Sequence, residues 1–299
     1  MVFSRELPHS FADALRVCRE ILSADQELVR KNLIDTEAEQ LVIGAHRLAT
    51  GEFLSRAQFL TRIQDRLPET SAERLLILAG MRAEGVPLQH ILGWQAFLEH
   101  EYKVNSSTLI PRPETEVLVM ETIQSLSFPK RGFEIGIGTG VISIELLSRF
   151  HELQMVASEI SEDARQLAEA NARNILGSMD RLAILKPADG SDVLGVFTGT
   201  ADFIVSNPPY LDAASSDETE TEVLAHEPKS ALFPEGGDPL HFYKQIAAHG
   251  ARLLNPRGKV FLEIAAERAK ETEALFSKTW KTRVVPDLTG RPRVLVAEK

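Results

Sequence analysis

The sequence predicts an α/β protein whose main domain is a seven-stranded, doubly wound sheet with its last strand antiparallel, preceded by a small helical domain and a β-hairpin linker. Three observations predict it. From Gly132 onward, strand-length apolar runs alternate with helix-length amphipathic ones, the signature of a doubly wound sheet. The first of those strands runs into three glycines at alternate positions, Gly136, Gly138 and Gly140. The apolar run Ile204-Val205-Ser206 stops at Asn207-Pro208-Pro209-Tyr210. Consecutive prolines cannot donate to a sheet and force the residue before them out of the helical region, so the chain must peel away from the strand end there.

The elements follow in order. From Phe11 to about Gly85 the pattern is helical, with Phe11, Leu15, Cys18 and Leu22 on one face. Thr36 to Glu39 and Thr70 to Glu73 both match the capping box, in which a hydroxyl and a later glutamate satisfy free backbone donors reciprocally. Between them a helix is expected from Leu54 to Leu67, closed by Pro68. Residues 1–88 are therefore read as a helical domain that docks substrate or simply packs. Residues 89–112 are read as a linker, because Phe97 to Val104 alternates imperfectly ahead of the turn signal Asn105-Ser106-Ser107-Thr108.

Pro113 suits the first position of a helix running to about Ser125, and Glu114 and Glu116 suit the positive end of its dipole. Residues 113–299 form the main domain. Its expected strands are Gly132–Ile135, Gln154–Ser158, Leu182–Leu185, Asp202–Ser206, Lys259–Ile264, Arg283–Val285 and Arg293–Ala297, with helices starting near Gly140, Ser161, Ser191, Asp238 and Ala265. The loop from Pro286 to Pro292 is too short for a parallel crossover, so the final strand is expected to run antiparallel. The acidic, polar stretch from Asp212 to Glu222 is expected to be the most flexible.

Composition narrows the function classes. The 299 residues are 43% hydrophobic and 25% charged, ordinary for a globular chain with a sizeable core. No apolar run approaches the roughly eighteen residues of a membrane span, and the start of the chain lacks the apolar core of a signal peptide, so a cytoplasmic protein is expected. A single cysteine, Cys18, excludes an internal disulfide and a cysteine-cluster metal site, and the eight histidines have no metal-ligand spacing. A net charge of −10 argues against wrapping a nucleic-acid backbone, which is bound by Lys and Arg displacing counterions, and permits a basic protein partner.

The glycine loop, Glu134-Ile135-Gly136-Ile137-Gly138-Thr139-Gly140, lets a ligand approach the backbone closely. The dinucleotide fingerprint Gly-x-Gly-x-x-Gly is not met, so a nucleoside without pyrophosphate fits better. The second strand ends at Glu159, about twenty residues on, where a carboxylate can accept from both ribose hydroxyls. Asp189 either accepts from an adenine amino group or caps a turn.

At this point the chain closely resembles the S-adenosylmethionine-dependent glutamine methyltransferases of peptide chain release factors. Four stretches carry the resemblance: Pro87 to Gly93, Leu109 to Glu116, Asn207 to Tyr210, and Glu227 to Leu232 together with the tail Asp287 to Val294. It implies a Rossmann-like methyltransferase sheet and S-adenosylmethionine as cofactor. Glu134, Gly136, Ile137, Gly138, Thr139, Gly140, Glu159, Asp189, Gly190 and Asn207 match the cofactor-binding positions, and Asn207, Pro208, Pro209 and Tyr210 the catalytic ones. The implied substrate is the glutamine of a release factor's Gly-Gly-Gln loop, met by a monomer with no metal, membrane or direct nucleic-acid contact.

On that resemblance, the Asn207 side-chain oxygen and the Pro208 carbonyl each accept one N–H of the substrate amide, and Tyr210 stacks on it. The chain departs from the family pattern with Glu134 and Glu159 in place of aspartates, Ile137 in place of threonine, Gly190 in place of an aromatic that would grip adenine, and Pro239 in place of glycine. The competing classes are a ribosomal-protein glutamine methyltransferase, a DNA or RNA amino-methyltransferase, against which the acidic charge stands, and a non-catalytic adaptor.

Overall fold

The computed structural model describes residues 6–188, 192–211 and 225–299, and the chain divides after Gly93 into two compact units. In the first, helices α1 (Phe11–Leu22), α3 (Ile34–Thr50) and α5 (Glu69–Ala83) pack on one another, with the shorter α2 (Gln26–Lys31), α4 (Arg56–Thr61) and α6 (Leu88–Leu92) between and after them. The face predicted for α1 is the buried one, and Phe11 meets Phe59 and His46 edge-on.

Three local expectations differ. Neither Thr36 nor Thr70 caps a helix, because α3 starts already after Leu33 and α5 after Pro68, which puts both threonines inside the first turn. The capping box is instead at Ser55 and Gln58, ahead of α4. The helix expected from Leu54 to Leu67 ends at Thr61, because the carbonyls of Ile63 and Asp65 receive the N–H groups of Ala12 and Phe11 at 2.8 and 3.2 Å. Those are free donors at the start of α1, and satisfying them competes with continuing the helix.

The second unit opens with the hairpin β1 (Trp94–Phe97) and β2 (His100–Lys103), tightened by a left-handed Leu98. After α7 (Pro113–Ser125) come β3 (Arg131–Ile135), α8 (Val141–Arg149), β4 (Gln154–Ser158), α9 (Glu162–Leu176), β5 (Leu182–Leu185) and β6 (Ala201–Ser206). Then follow α10 (Lys229–Leu232), α11 (His241–His249), β7 (Leu254–Glu263), α12 (Ala269–Phe276), β8 (Lys281–Pro286) and β9 (Pro292–Glu298). The seven long-sheet strands lie in the order β5-β4-β3-β6-β7-β9-β8, parallel from β5 to β7, with β9 antiparallel to both its neighbours as predicted.

The period-two alternation of each strand sorts its side chains between two cores. Phe203 and Val205 of β6 face α7, α8 and α9 through Leu118, Ile144 and Ala168, while Ile204 faces α11 and α12 through Tyr243, Ile246 and Phe276. Each such fully buried apolar side chain contributes about 1.5–3 kcal/mol.

Among the described residues the helix expected near Ser191 is not seen. Ser191 itself lies outside the described residues, and Asp192 to Phe197 close short turns instead, burying Val193, Leu194 and Phe197 in the second core. The helix expected near Asp238 begins at His241, after a one-turn 3₁₀ segment at Glu235–Gly237 in which Gly236 and Gly237 are left-handed. The segment 212–222 also lies outside the described residues.

The strand order reverses between β3 and β6. In open α/β sheets the crevice beyond the carboxyl ends of the strands at such a switch point is where ligands bind. The glycine loop leaves β3 there and Asn207 leaves β6 there.

Candidate active site

Three hydrogen bonds fix the loops at the switch point. The Ser206 hydroxyl donates to the Ile135 carbonyl at 2.8 Å, tying the end of β6 to the end of β3. The N–H groups of Gly136 and Ile137 both donate to the Ser158 carbonyl at 3.0 Å, tying the glycine loop to β4. Gly138 and Gly140 take left-handed φ values of 51° and 94°, and a side chain on Gly140 would stand 2.9 Å from Ile144. The loop therefore turns directly into α8. From behind, the buried Asn171 of α9 donates to the carbonyls of Thr139 and Lys103, each at 3.0 Å, and accepts from the Lys103 N–H at 2.9 Å. The Thr139 hydroxyl donates to the Leu109 carbonyl, 3.0 Å away. Hairpin, loop and the segment before α7 thus form one frame.

That frame walls a cavity of about 1080 Å³, counting its open mouth. Glu134, Gly136, Ile137, Gly138, Thr139, Glu159, Asn207, Pro208 and Pro209, all singled out by sequence, line it. Gly140 stands just behind, capping α8. Asp189 and Gly190 lie outside the described residues. Tyr210 is not in the wall: its ring packs against the second core and its hydroxyl donates to Glu263 Oε1 at 3.4 Å.

Three carboxylates set the electrostatics. Glu134 is fully buried; its Oε2 accepts from the Ser143 N–H at 3.1 Å and from the Ser143 hydroxyl, while Oε1 has no partner among the described residues. Burial pushes its pKa up to about 8, the two Ser143 bonds opposing and the Glu159 charge reinforcing that rise. Glu159 accepts from the N–H of Gly138 at 3.1 Å and of Ser161 at 3.0 Å, so its carboxylate is oriented before any ligand arrives. Glu263, at the end of β7, is buried and pushed up to about 7.

Among the described residues Asn207 is held by one end only. Its Nδ2 donates to the Thr115 hydroxyl at 3.1 Å, and that hydroxyl donates to Glu263 Oε2 at 2.7 Å. The amide oxygen is the group left to face the cavity. Sequence reasoning missed Thr115 and Glu263. It missed also Ile160, Pro187 and Val193, which give the cavity an apolar side beyond Glu159. Arg112 at the rim is paired with the buried Glu227, whose Oε2 also accepts from the Ile110 N–H at 3.3 Å. A signal for Glu263 was present, a carboxylate inside the apolar run Val260-Phe261-Leu262-Glu263-Ile264.

Among the described residues no cluster of metal-ligating side chains is present, and no helix is long and apolar enough to cross a membrane. Residues 113–249 match the family model of the methyltransferase small domain. The chain is 34% identical over 273 residues to a release factor glutamine methyltransferase of Nitratidesulfovibrio vulgaris, covering 87% of this chain and 91% of that one. It is 34% identical over 215 residues to that of Bacteroides thetaiotaomicron, covering 71% and 76%. Among solved structures, a methyltransferase from Pyrococcus furiosus shares the fold with a TM-score of 0.51 at 20% identity, over 68% of this chain and 91% of that chain.

Proposed function

The chain belongs to the release factor glutamine methyltransferases, and from that premise we propose that it moves a methyl group from S-adenosylmethionine to the side-chain amide nitrogen of the glutamine in a release factor's Gly-Gly-Gln motif. The observation that carries the reading is the one-sided hold on Asn207, whose Nδ2 is occupied by Thr115 and whose oxygen is left toward the cavity.

The residues present fit the methyl donor. The partnerless Oε1 of Glu134 in the cavity wall is an acceptor for its ammonium group. Glu159 already holds two backbone N–H groups and keeps lone pairs for the ribose hydroxyls. Ile160, Pro187 and Val193 offer an apolar slot for the base. When bound, S-adenosylmethionine supplies an electrophilic methyl group on a sulfonium.

The protein's own task is orientation. An amide nitrogen is a poor nucleophile because its lone pair is delocalised into the carbonyl. With one N–H accepted by Asn207 Oδ1 and the other by the Pro208 carbonyl, the nitrogen is fixed with its face toward the reacting carbon, and such positioning is the main rate effect. The N-methylated nitrogen sheds its proton readily and needs no strong base in the site.

In this reading residues 1–88 dock the protein substrate, 89–112 link, and 113–299 carry out the transfer. The enzyme works as a monomer in the cytoplasm, where release factors are met.

Asn207→Ala tests the reading. With a release factor and labelled donor, label located by mass spectrometry should sit on the Gly-Gly-Gln glutamine. Single-turnover methylation by the variant should fall at least about a hundredfold, the scale of losing one positioned hydrogen-bonding group at a reacting centre. Donor affinity should change only a few-fold. Asn207→Asp keeps an acceptor but sets a charge beside the sulfonium, and should also stay well below wild type. Near wild-type rates in both would remove Asn207 from the chemistry.

A further inference from the structure

The hydrogen-bond chain behind Asn207 has a direction, and the direction is set at its buried end. An ionised carboxylate has no hydrogen to give, so at 2.7 Å the Thr115 hydroxyl must donate its one hydrogen to Glu263 Oε2. Thr115 can then only accept from Asn207. The one donor Asn207 has is its NH₂, found 3.1 Å from the Thr115 oxygen. The amide oxygen is thereby turned to the cavity. If Glu263 carries a proton, Oε2 can donate to Thr115, the Thr115 hydrogen is released toward Asn207, and the amide turns over. Its NH₂ would then confront the NH₂ of the substrate, donor against donor.

We propose that Glu263 is a positioning residue for methyl transfer, which through the Thr115 hydroxyl sets which end of the Asn207 amide meets the substrate. The proposal rests on the reading of Asn207 as acceptor. The same carboxylate accepts from the Tyr210 hydroxyl through its other oxygen at 3.4 Å, so one group anchors both ends of the Asn207 to Tyr210 segment. Glu263 is not among the residues that line the cavity, whereas Thr115 and Asn207 are, so it acts at a distance through those two.

The surroundings keep the carboxylate near its switching range. Burial raises its pKa, to about 7, and Glu114 of α7 adds to that rise, while the Thr115 bond, the Arg293 guanidinium of β9 and the Tyr210 bond oppose it. Arg293 is itself held by Asp287 at 3.2 Å. From α11 the Tyr243 hydroxyl donates to the Glu263 backbone carbonyl at 2.8 Å, leaving both carboxylate oxygens to Thr115 and Tyr210. Glu267, past the end of β7, acts on Tyr210 and Tyr243.

The test is single-turnover methylation of a release factor across pH at saturating donor, so that titration of Glu134 stays out of the rate. The wild-type rate should rise as Glu263 ionises and then level. Glu263→Gln, which can present either an oxygen or an NH₂ to Thr115, should lose that limb and lower the plateau about ten- to a hundredfold, the scale of a misplaced reacting group. Thr115→Val should lower the rate similarly with donor dissociation constant within a few-fold of wild type, and Thr115→Ser should restore it. Should Glu263→Gln fail to fold, the valine and serine variants decide alone. Wild-type rates and pH profile in Glu263→Gln and Thr115→Val, beside an inactive Asn207→Ala, would overturn the proposal while leaving the Asn207 reading intact. An active Asn207→Ala would instead sink the reading on which it rests.

Discussion

Glu134→Gln is the perturbation whose size can be worked out from the structure. The carboxyl is fully buried and raised from an ordinary 4.5 to about 8. Between those values the folded chain binds a proton that the unfolded chain releases, so stability falls as pH rises through the window and is fully present only below it. From about pH 5.5 to about pH 8.5, integration gives a loss on the order of 3 kcal/mol from this one group. For a unit of this size that is roughly 6–12 °C in melting temperature. Glutamine keeps an oxygen for the Ser143 N–H and hydroxyl but cannot ionise. The assay is calorimetric melting of both proteins at the two pH values, and the quantity is the double difference, which cancels Glu263 and every other group common to both. The wild type should lose about that much more than the variant. A donor bearing an ammonium group should favour the ionised form, so its binding near neutral pH should release a proton in the wild type and none in the variant, read from binding heats in buffers of different ionisation enthalpy. Parallel melting shifts would refute the burial-raised carboxyl of Glu134, and equal proton release would refute its assignment to the ammonium subsite.

Two other outcomes are expected. Glu159→Ala should weaken donor binding by about one to two orders of magnitude, since hydrogen bonds to a charged acceptor are worth roughly 1.5–3 kcal/mol; an unchanged dissociation constant by calorimetry would put the ribose elsewhere. Association with a release factor should weaken as salt is raised if a chain of net charge −10 meets a basic surface of its partner through screened charges; a salt-independent affinity would remove charge complementarity from recognition.

The strands could be read from sequence because each is a short apolar run between turn residues, and the glycine loop and Asn-Pro-Pro-Tyr because backbone geometry demands those residue types wherever they occur. Helix starts in the first unit were harder, since a capping-box pattern at Thr36 or Thr70 looks the same whether the helix begins after it or, as with Leu33 and Pro68, before it. Thr115 and Glu263 were harder still: they are 148 positions apart, and no local pattern joins them. What joins them is register. In the parallel pairing of β6 with β7, Ser206 lies opposite Leu262, so the next residues along, Asn207 and Glu263, leave the two strands side by side at the mouth of the crevice. Thr115, in the first turn of α7, closes the gap between them with one hydroxyl. A glutamate at the end of an apolar strand thus becomes meaningful only once the strand order brings it beside the amide it can orient. The sequence holds both groups, and the sheet determines that they act together.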